Sequence, residues 1–306
     1  MKLFLSKPRG FCGGVVRAIE IVERAIEKWG APIYVKHEIV HNHHVVEGLR
    51  KKGAIFIEDL SHVPYGSRVI YSAHGVSPAV RKEAKERQLI EIDATCGLVT
   101  KVHSAAKRFA SKGYHIILIG HRNHVEIIGT AGEAPEQTTI VEKAEDVDKL
   151  PFTLQDKLFY ITQTTLSLDD VAEITQALIS RYPQITTLPS ASICYATTNR
   201  QMALREIIAK TDLVLVVGDP TSSNSNRLRE LATKQAIPAY LINRSEEIDI
   251  RWMKNVKTIG LTAGASTPED IVQLCIQQLV EFGVKEVEDI VFTTEDVVFQ
   301  IPKQLL

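Results

Sequence analysis

Apolar residues recur at helical spacing in three long stretches of the chain, Val15 to Trp29, Leu98 to Lys112 and Ala196 to Lys210. Each predicts an amphipathic helix with one buried face. A cysteine opens every one of them, in the segments Arg9-Gly10-Phe11-Cys12-Gly13-Gly14, Ala94-Thr95-Cys96-Gly97 and Ser192-Ile193-Cys194-Tyr195. Behind each helix comes a β-rich run, Pro32 to Val40, Tyr114 to Gly120 and Asp212 to Gly218, that ends in a polar cluster. The clusters are His41-Asn42-His43-His44, His121-Arg122-Asn123-His124 and Thr221-Ser222-Ser223-Asn224. Counted from the cysteines, His41 lies 41 − 12 = 29 residues on, His124 lies 124 − 96 = 28 on, and Asn224 lies 224 − 194 = 30 on. The chain therefore repeats one plan three times.

A second strand follows in each copy, Arg68 to Ser72, Leu158 to Thr162 and Val256 to Thr262, and runs into a polar turn and another helix. Ser77, Ser167 and Thr267 stand where an N-cap hydroxyl belongs, with Pro78 and Pro268 at the first helical position. The expected fold is α/β, with three similar units of short, mainly parallel sheets wrapped by helices, and with loops converging where the strands end. The boundaries are 1–95, 96–193 and 194–282. A tail, 283–306, carries the strand-like runs Ile290-Val291-Phe292 and Val297-Val298-Phe299 and is expected to return onto the body.

Charge changes the picture only by exclusion. Thirty-six basic and 37 acidic residues give a net charge of −1, so no basic nucleic-acid footprint exists and an anionic ligand must be held locally. Uncharged apolar runs such as Ile116 to Gly120 fall far short of the ~20 residues that cross a bilayer. The first residues, Met1 to Arg9, lack the apolar core and cleavage site of an export signal, so the cytoplasm is the expected location. Four cysteines in 306 residues are too few for a disulfide scaffold and read as metal-binding, catalytic or core residues.

A helix N-terminus favours a thiolate, because its unpaired N–H groups and dipole favour negative charge. Cys12, Cys96 and Cys194, at equivalent repeat positions and without a Cys-x-x-Cys, suggest one sulfur from each unit to a shared centre. Thiolates select iron–sulfur clusters, zinc or copper(I), and three of them leave a coordination position open. Cys275, mid-helix in Ile271-Val272-Gln273-Leu274-Cys275-Ile276, reads as core. All ten histidines lie at or before His124. At strand ends His41, His74 and His124, with Ser222, Ser223, Asn224 and Ser266, form a donor set that suits a diphosphate. Glu126 sits among Val125, Ile127 and Ile128, where partial burial would suit a carboxyl to proton delivery. Two tempting patterns fail on context. His37-Glu38-Ile39-Val40-His41 fits the zinc-protease spacing but continues a β-branched run instead of a helix, and His124-Val125-Glu126 lacks the cysteine pair of a deaminase. Neither a phosphate-binding P-loop motif nor G-x-G-x-x-G occurs, so redox power is expected to reside in a metal centre.

These segments resemble the signatures of one family. They include Gly10-Phe11-Cys12-Gly13-Gly14-Val15, His37-Glu38-Ile39-Val40-His41-Asn42, Ser72-Ala73-His74-Gly75-Val76-Ser77 and Asp93-Ala94-Thr95-Cys96. Leu98-Val99-Thr100-Lys101-Val102-His103, Thr162-Gln163-Thr164-Thr165-Leu166-Ser167 and Cys194-Tyr195-Ala196-Thr197-Thr198-Asn199-Arg200-Gln201 continue the match in collinear order. The chain is similar to the 4-hydroxy-3-methylbut-2-enyl diphosphate reductases, the LytB family, which complete the methylerythritol phosphate route to isoprenoids. The resemblance implies a pseudo-threefold α/β fold around a [4Fe–4S] cluster held by Cys12, Cys96 and Cys194, with the fourth iron open to substrate. It further implies an allylic diphosphate substrate held by His41, His74, His124, Ser222, Ser223, Asn224 and Ser266, protons delivered by Glu126, and Thr164 beside the substrate hydroxyl. Electrons are expected from an external one-electron donor of ferredoxin or flavodoxin type.

The chain departs from the family pattern at Gly97 and Val125, where proline is common, and at Ile128, where a second acid is common. Two other readings fit the bare residues. One is a hydrolase with a three-thiolate zinc and Glu126 as base, and the other is an iron–sulfur sensor without turnover.

Overall fold

The structure is a computed structural model and describes residues 1–189 and 192–306. In chain order the first elements are β1 (Lys2–Lys7), α1 (Gly13–Trp29), β2 (Ile33–Lys36), α2 (His43–Lys52), β3 (Ala54–Ile57), β4 (Arg68–Tyr71), α3 (Pro78–Glu86) and β5 (Ile90–Asp93). The middle of the chain forms α4 (Gly97–Ala110), β6 (His115–Ile119), α5 (Val125–Ala131), β7 (Thr138–Val141), β8 (Leu158–Thr162), α6 (Leu168–Arg181) and β9 (Thr186–Thr187). Then come α7 (Tyr195–Ile208), β10 (Leu213–Val217), α8 (Ser223–Lys234), β11 (Ala239–Ile242), β12 (Thr258–Ala263), α9 (Glu269–Glu281) and β13 (Glu286–Val291).

The elements form where the local pattern demands them. In α4, Val102, Ala105, Ala106 and Ala110 share one face and bury against Ile116 and Leu118 of β6 and Phe159 and Ile161 of β8. Strand β10 is buried at all five positions, as expected of a parallel strand covered on both faces. There are three sheets, ordered β3-β2-β4-β5, β7-β6-β8-β9 and β11-β10-β12-β1-β13, and every strand pairing among the described residues is parallel. The α/β class with three short parallel sheets is thus as the repeat predicts.

Sheet membership does not follow boundaries drawn at residues 95, 193 and 282. The fourth position of each sheet is taken by the strand directly before a cysteine: β5 before Cys96, β9 before Cys194 and β1 before Cys12. Strand β1 pairs with β12 and β13, so the repeat is offset by one strand and closes from the far end of the chain. By contacts the chain forms two compact units. The first comprises Met1–Val16, His41–Val45 and Tyr195–Val298 and holds the five-stranded sheet; the second comprises Arg17–Val40, Val46–Cys194 and Phe299–Leu306 and holds both four-stranded sheets.

Three local expectations change. Strand β2 ends at Lys36, because His37 takes a left-handed conformation (φ 63°), so the run to His41 is neither helix nor strand. Helix α9 has Pro268 at its N-cap, and Thr267 turns its hydroxyl inward to donate to the Val217 carbonyl at 3.0 Å. In the tail, residues 290 and 291 belong to β13, but Val297-Val298-Phe299 forms no strand. No helix among the described residues is long and apolar enough to cross a membrane.

Cys275 lies on the buried face of α9 with Val272 and Leu279, packed toward Leu3, Leu5 and Leu261. Burial pushes its thiol up to about 12. Alkylation of the folded protein at pH 8 should therefore leave Cys275 unmodified, and denaturant should make it react. Equal labelling rates in the folded and unfolded chain would contradict its core position.

Candidate active site

All three helix-opening cysteines occupy one structural position. The chain leaves the fourth strand of a sheet, passes beside the turn that ends the neighbouring strand, and starts a helix. The unpaired N–H groups ahead of that helix need acceptors, and the turn supplies one. Cys12 N–H donates to Ala265 O at 3.2 Å, Cys96 N–H to Ala73 O at 2.9 Å, and Cys194 N–H to Thr164 O at 3.0 Å. Each cysteine is half-buried. The turns so engaged carry Ser266, His74 and Thr164, so a candidate side chain accompanies each sulfur. These loops stand at the carboxyl ends of parallel strands, where α/β sheets place their ligands.

Of the candidate residues, the second unit contains Cys96, Cys194, His74, His124, Glu126 and Thr164. Glu126, on the first turn of α5, is only 2% exposed, which an isolated carboxylate could not tolerate. Its two oxygens are engaged by one residue: Thr164 donates its N–H to Oε1 at 2.6 Å and its hydroxyl to Oε2 at 2.9 Å. His124 caps α5, its Nδ1 accepting from Glu126 N–H at 3.2 Å. That cap orders the turn although Val125 stands at the first helical position, where proline would fix the backbone. Ile128 is 56% exposed, on the side of α5 away from the core. The His74 and His124 rings meet edge to face at 6.1 Å between centroids, and Ser72 Oγ lies 3.3 Å from His74 Nδ1. Gln163 orders the same cluster, accepting from His121 N–H at 3.1 Å and donating to Thr165 Oγ1 at 2.9 Å.

The first unit contains Cys12, His41, Ser222, Ser223, Asn224 and Ser266. Ser222 caps α8, accepting from Ser225 N–H, and Ser223 and Asn224 form that helix's first turn, a site whose N–H groups favour an anion. Asn224 links two neighbours, accepting from Ala265 N–H at 3.0 Å and donating to Thr197 Oγ1 at 3.3 Å. Ser266 Oγ donates to the His41 carbonyl at 2.8 Å. Tyr195 Oη accepts from Gly13 N–H at 3.3 Å; burial, with the negative charge of Cys12 close by, pushes the phenol up to about 12, so it stays protonated. Asp219 anchors the loops around His41 by accepting from His43 N–H at 2.9 Å and from the Thr221 N–H and hydroxyl at 2.9 and 2.7 Å. Burial would raise the Asp219 carboxyl, but these hydrogen bonds and the charge of His41 outweigh it and hold it below the usual carboxylate range.

The donor set fits an iron–sulfur cluster. It comprises three thiols, each half-buried at the start of a helix of 14 to 17 residues and each fixed by the same backbone bond. The residues that sequence reasoning left without a role are Asp219, Tyr195, Gln163, Arg17 and the pair of Arg200 and Glu295. Gln163, Tyr195 and Arg200 lie within the family-like segments, and Asp219, in Asp219-Pro220-Thr221, carries a local turn signal that could have revealed it.

A family model described as LytB protein matches residues 3–280. The chain is 74% identical over 306 residues to the 4-hydroxy-3-methylbut-2-enyl diphosphate reductase of Protochlamydia amoebophila (strain UWE25), covering 100% of this chain and 98% of the relative. To the protein of the same name from Chlamydia pneumoniae it is 65% identical, covering 99% and 98%. The solved structure of the E-1-hydroxy-2-methyl-but-2-enyl-4-diphosphate reductase from Plasmodium falciparum matches with a TM-score of 0.97 at 52% identity, over 99% of this chain and 96% of that one.

Proposed function

The chain belongs to the LytB protein family, and from that premise we propose that it is the enzyme that reductively removes the hydroxyl of 4-hydroxy-3-methylbut-2-enyl diphosphate. The products are isopentenyl and dimethylallyl diphosphate, and the step is the last of the methylerythritol phosphate route. The observation within this chain that best supports the reading is the buried Glu126 carboxylate held at both oxygens by Thr164.

The reaction takes up two electrons and two protons, breaks the allylic C–O bond and releases water. Cys12, Cys96 and Cys194 would hold a [4Fe–4S] cluster, which when bound would supply Lewis acidity toward the hydroxyl and a path for the electrons. The protein residues bind the substrate and manage the protons. His41, His74 and His124, with Ser222, Ser223, Asn224 and Ser266, hold the diphosphate, helped by the N-terminus of α8. Thr164 Oγ1 faces the substrate hydroxyl. When Glu126 carries a proton, the bond between them reverses: the carboxyl donates to Thr164 Oγ1, and the threonine hydroxyl donates to the departing oxygen. Electrons come from a one-electron carrier of ferredoxin or flavodoxin type, and the cytoplasm is the setting.

Quantifying iron and sulfide after anaerobic purification tests this reading. It should give a brown protein with about four of each per chain, able to consume the diphosphate when driven by dithionite-reduced viologen. A colourless protein with one stoichiometric zinc would overturn it in favour of a hydrolase. A brown protein without turnover would point to a sensor.

A further inference from the structure

We propose that residues 295–300 of the tail form a strap that fixes the loops of Cys12 and Cys96 and limits access to their sulfurs, with Glu295 and Phe299 as positioning residues. Apolar burial at Val297 and Val298 does not account for the path of this segment, since they are 41% and 88% exposed. Its contacts fall instead on either side of two cysteines.

Within the first unit, Arg200 is fully buried and donates to the carbonyl of Gly10, two residues before Cys12, from Nε at 3.1 Å and Nη2 at 2.8 Å. The Glu295 carboxylate receives Arg200 Nη1 at 3.0 Å and Nη2 at 3.2 Å, and Asn199 Nδ2 at 3.0 Å. With Arg200 fully buried and Glu295 half-buried, such a pair is costly to desolvate and is better understood as fixing a geometry than as adding stability. On the other side of Cys12, a methyl group at Gly13 would stand 2.2 Å from the carbonyl oxygen of Val297, an approach only glycine permits.

The second unit repeats the device. Arg17 donates from Nη1 to the Thr95 carbonyl, one residue before Cys96, at 3.1 Å, and from Nε to the Gln300 carbonyl at 2.7 Å. Directly after Cys96, a methyl group at Gly97 would meet the ring of Phe299 at 3.0 and 3.2 Å. In both places an arginine ties the tail to the backbone ahead of the sulfur, and a glycine behind it admits the tail. A strap placed this way shields thiolate ligands from water and oxygen, a role that rests on the cluster reading above.

The test uses the full-length chain, purified anaerobically, as parent, Phe299→Ala, Phe299→Tyr and Glu295→Gln. On exposure to air, the visible absorbance of Phe299→Ala and Glu295→Gln should decay at least about five-fold faster than that of the parent, as expected of a locally opened segment, and Phe299→Tyr should behave as parent. After iron removal, maleimide labelling resolved by cysteine should rise at Cys96 in Phe299→Ala and at Cys12 in Glu295→Gln, with Cys275 still protected. Unchanged rates at Cys96 and Cys12 would overturn the proposal. If Cys275 labels in step with Cys96, the variant has unfolded; Gly97→Ala, which displaces the ring without removing it, then decides by the same labelling. A parent without iron would defeat the cluster assignment, and the labelling would still decide whether the strap exists.

Discussion

Replacing Cys12, Cys96 or Cys194 by serine, one at a time, should leave a folded but pale protein, its iron reduced from about four to below about one per chain. Turnover should drop below detection in a viologen assay. The expectation rests on chemistry and on position. Serine keeps the shape but offers a hard alkoxide of high basicity in place of a soft thiolate, and iron–sulfur clusters are held by the latter. The three sites share one backbone environment, each N–H bound to the adjoining strand-end turn, so no one sulfur is structurally privileged. The losses should be of similar size. Cys275→Ser is the control: buried in α9, it should keep its iron and colour, with at most a modest loss of stability. Equal iron loss in all four variants would contradict the ligand assignment.

The second large effect is expected at Glu126→Gln, which should lower kcat by about 10²- to 10⁴-fold, the usual range for loss of a proton donor, and leave KM and iron content close to parental. The amide fits the same space and still accepts from Thr164 N–H through its oxygen, so the turn between β8 and α6 keeps its geometry. It has no acidic proton to pass through the threonine hydroxyl. Thr164→Val should fall in the same direction, because it removes the relay oxygen and the hydroxyl that donates to Glu126 Oε2 in a buried site. Thr164→Ser, which restores the hydroxyl, should recover most of the activity. Parental turnover in Glu126→Gln would show that protons reach the substrate by another route.

Much of this arrangement was legible from local pattern. The helices after Cys12, Cys96 and Cys194 declare themselves by 3.6-residue periodicity, and β6, β8, β10 and β12 by short β-branched runs. Glu126 stood out because a carboxylate inside Val125-Glu126-Ile127-Ile128 is out of character. The offset of the repeat was not legible, for a physical reason. Its fourth strands are weak local signals, β9 being two threonines and β5 a half-exposed Ile90-Glu91-Ile92-Asp93, and β1 finds its neighbours across the length of the chain. Pairing at that distance leaves no trace in a window of a dozen residues. The Arg200–Glu295 pair was hidden likewise, because an arginine on a helix and a glutamate in a tail are ordinary until the fold buries the one against the other. The end of β2 at Lys36 turned on one backbone angle at His37, a residue type that tolerates the left-handed region better than most and so gives no warning.

Strand β1 carries a consequence for biosynthesis. It is translated long before its neighbours, for Lys2 pairs with Thr258 on one side and Glu286 on the other, 256 and 284 positions later. Until β12 and β13 have been made, Leu3, Phe4 and Leu5 have no sheet to enter and the loop behind them has no support. Ordering of the Cys12 loop must then follow synthesis of β12 and β13, and a product that stops short of them would present that apolar strand to chaperones or proteases.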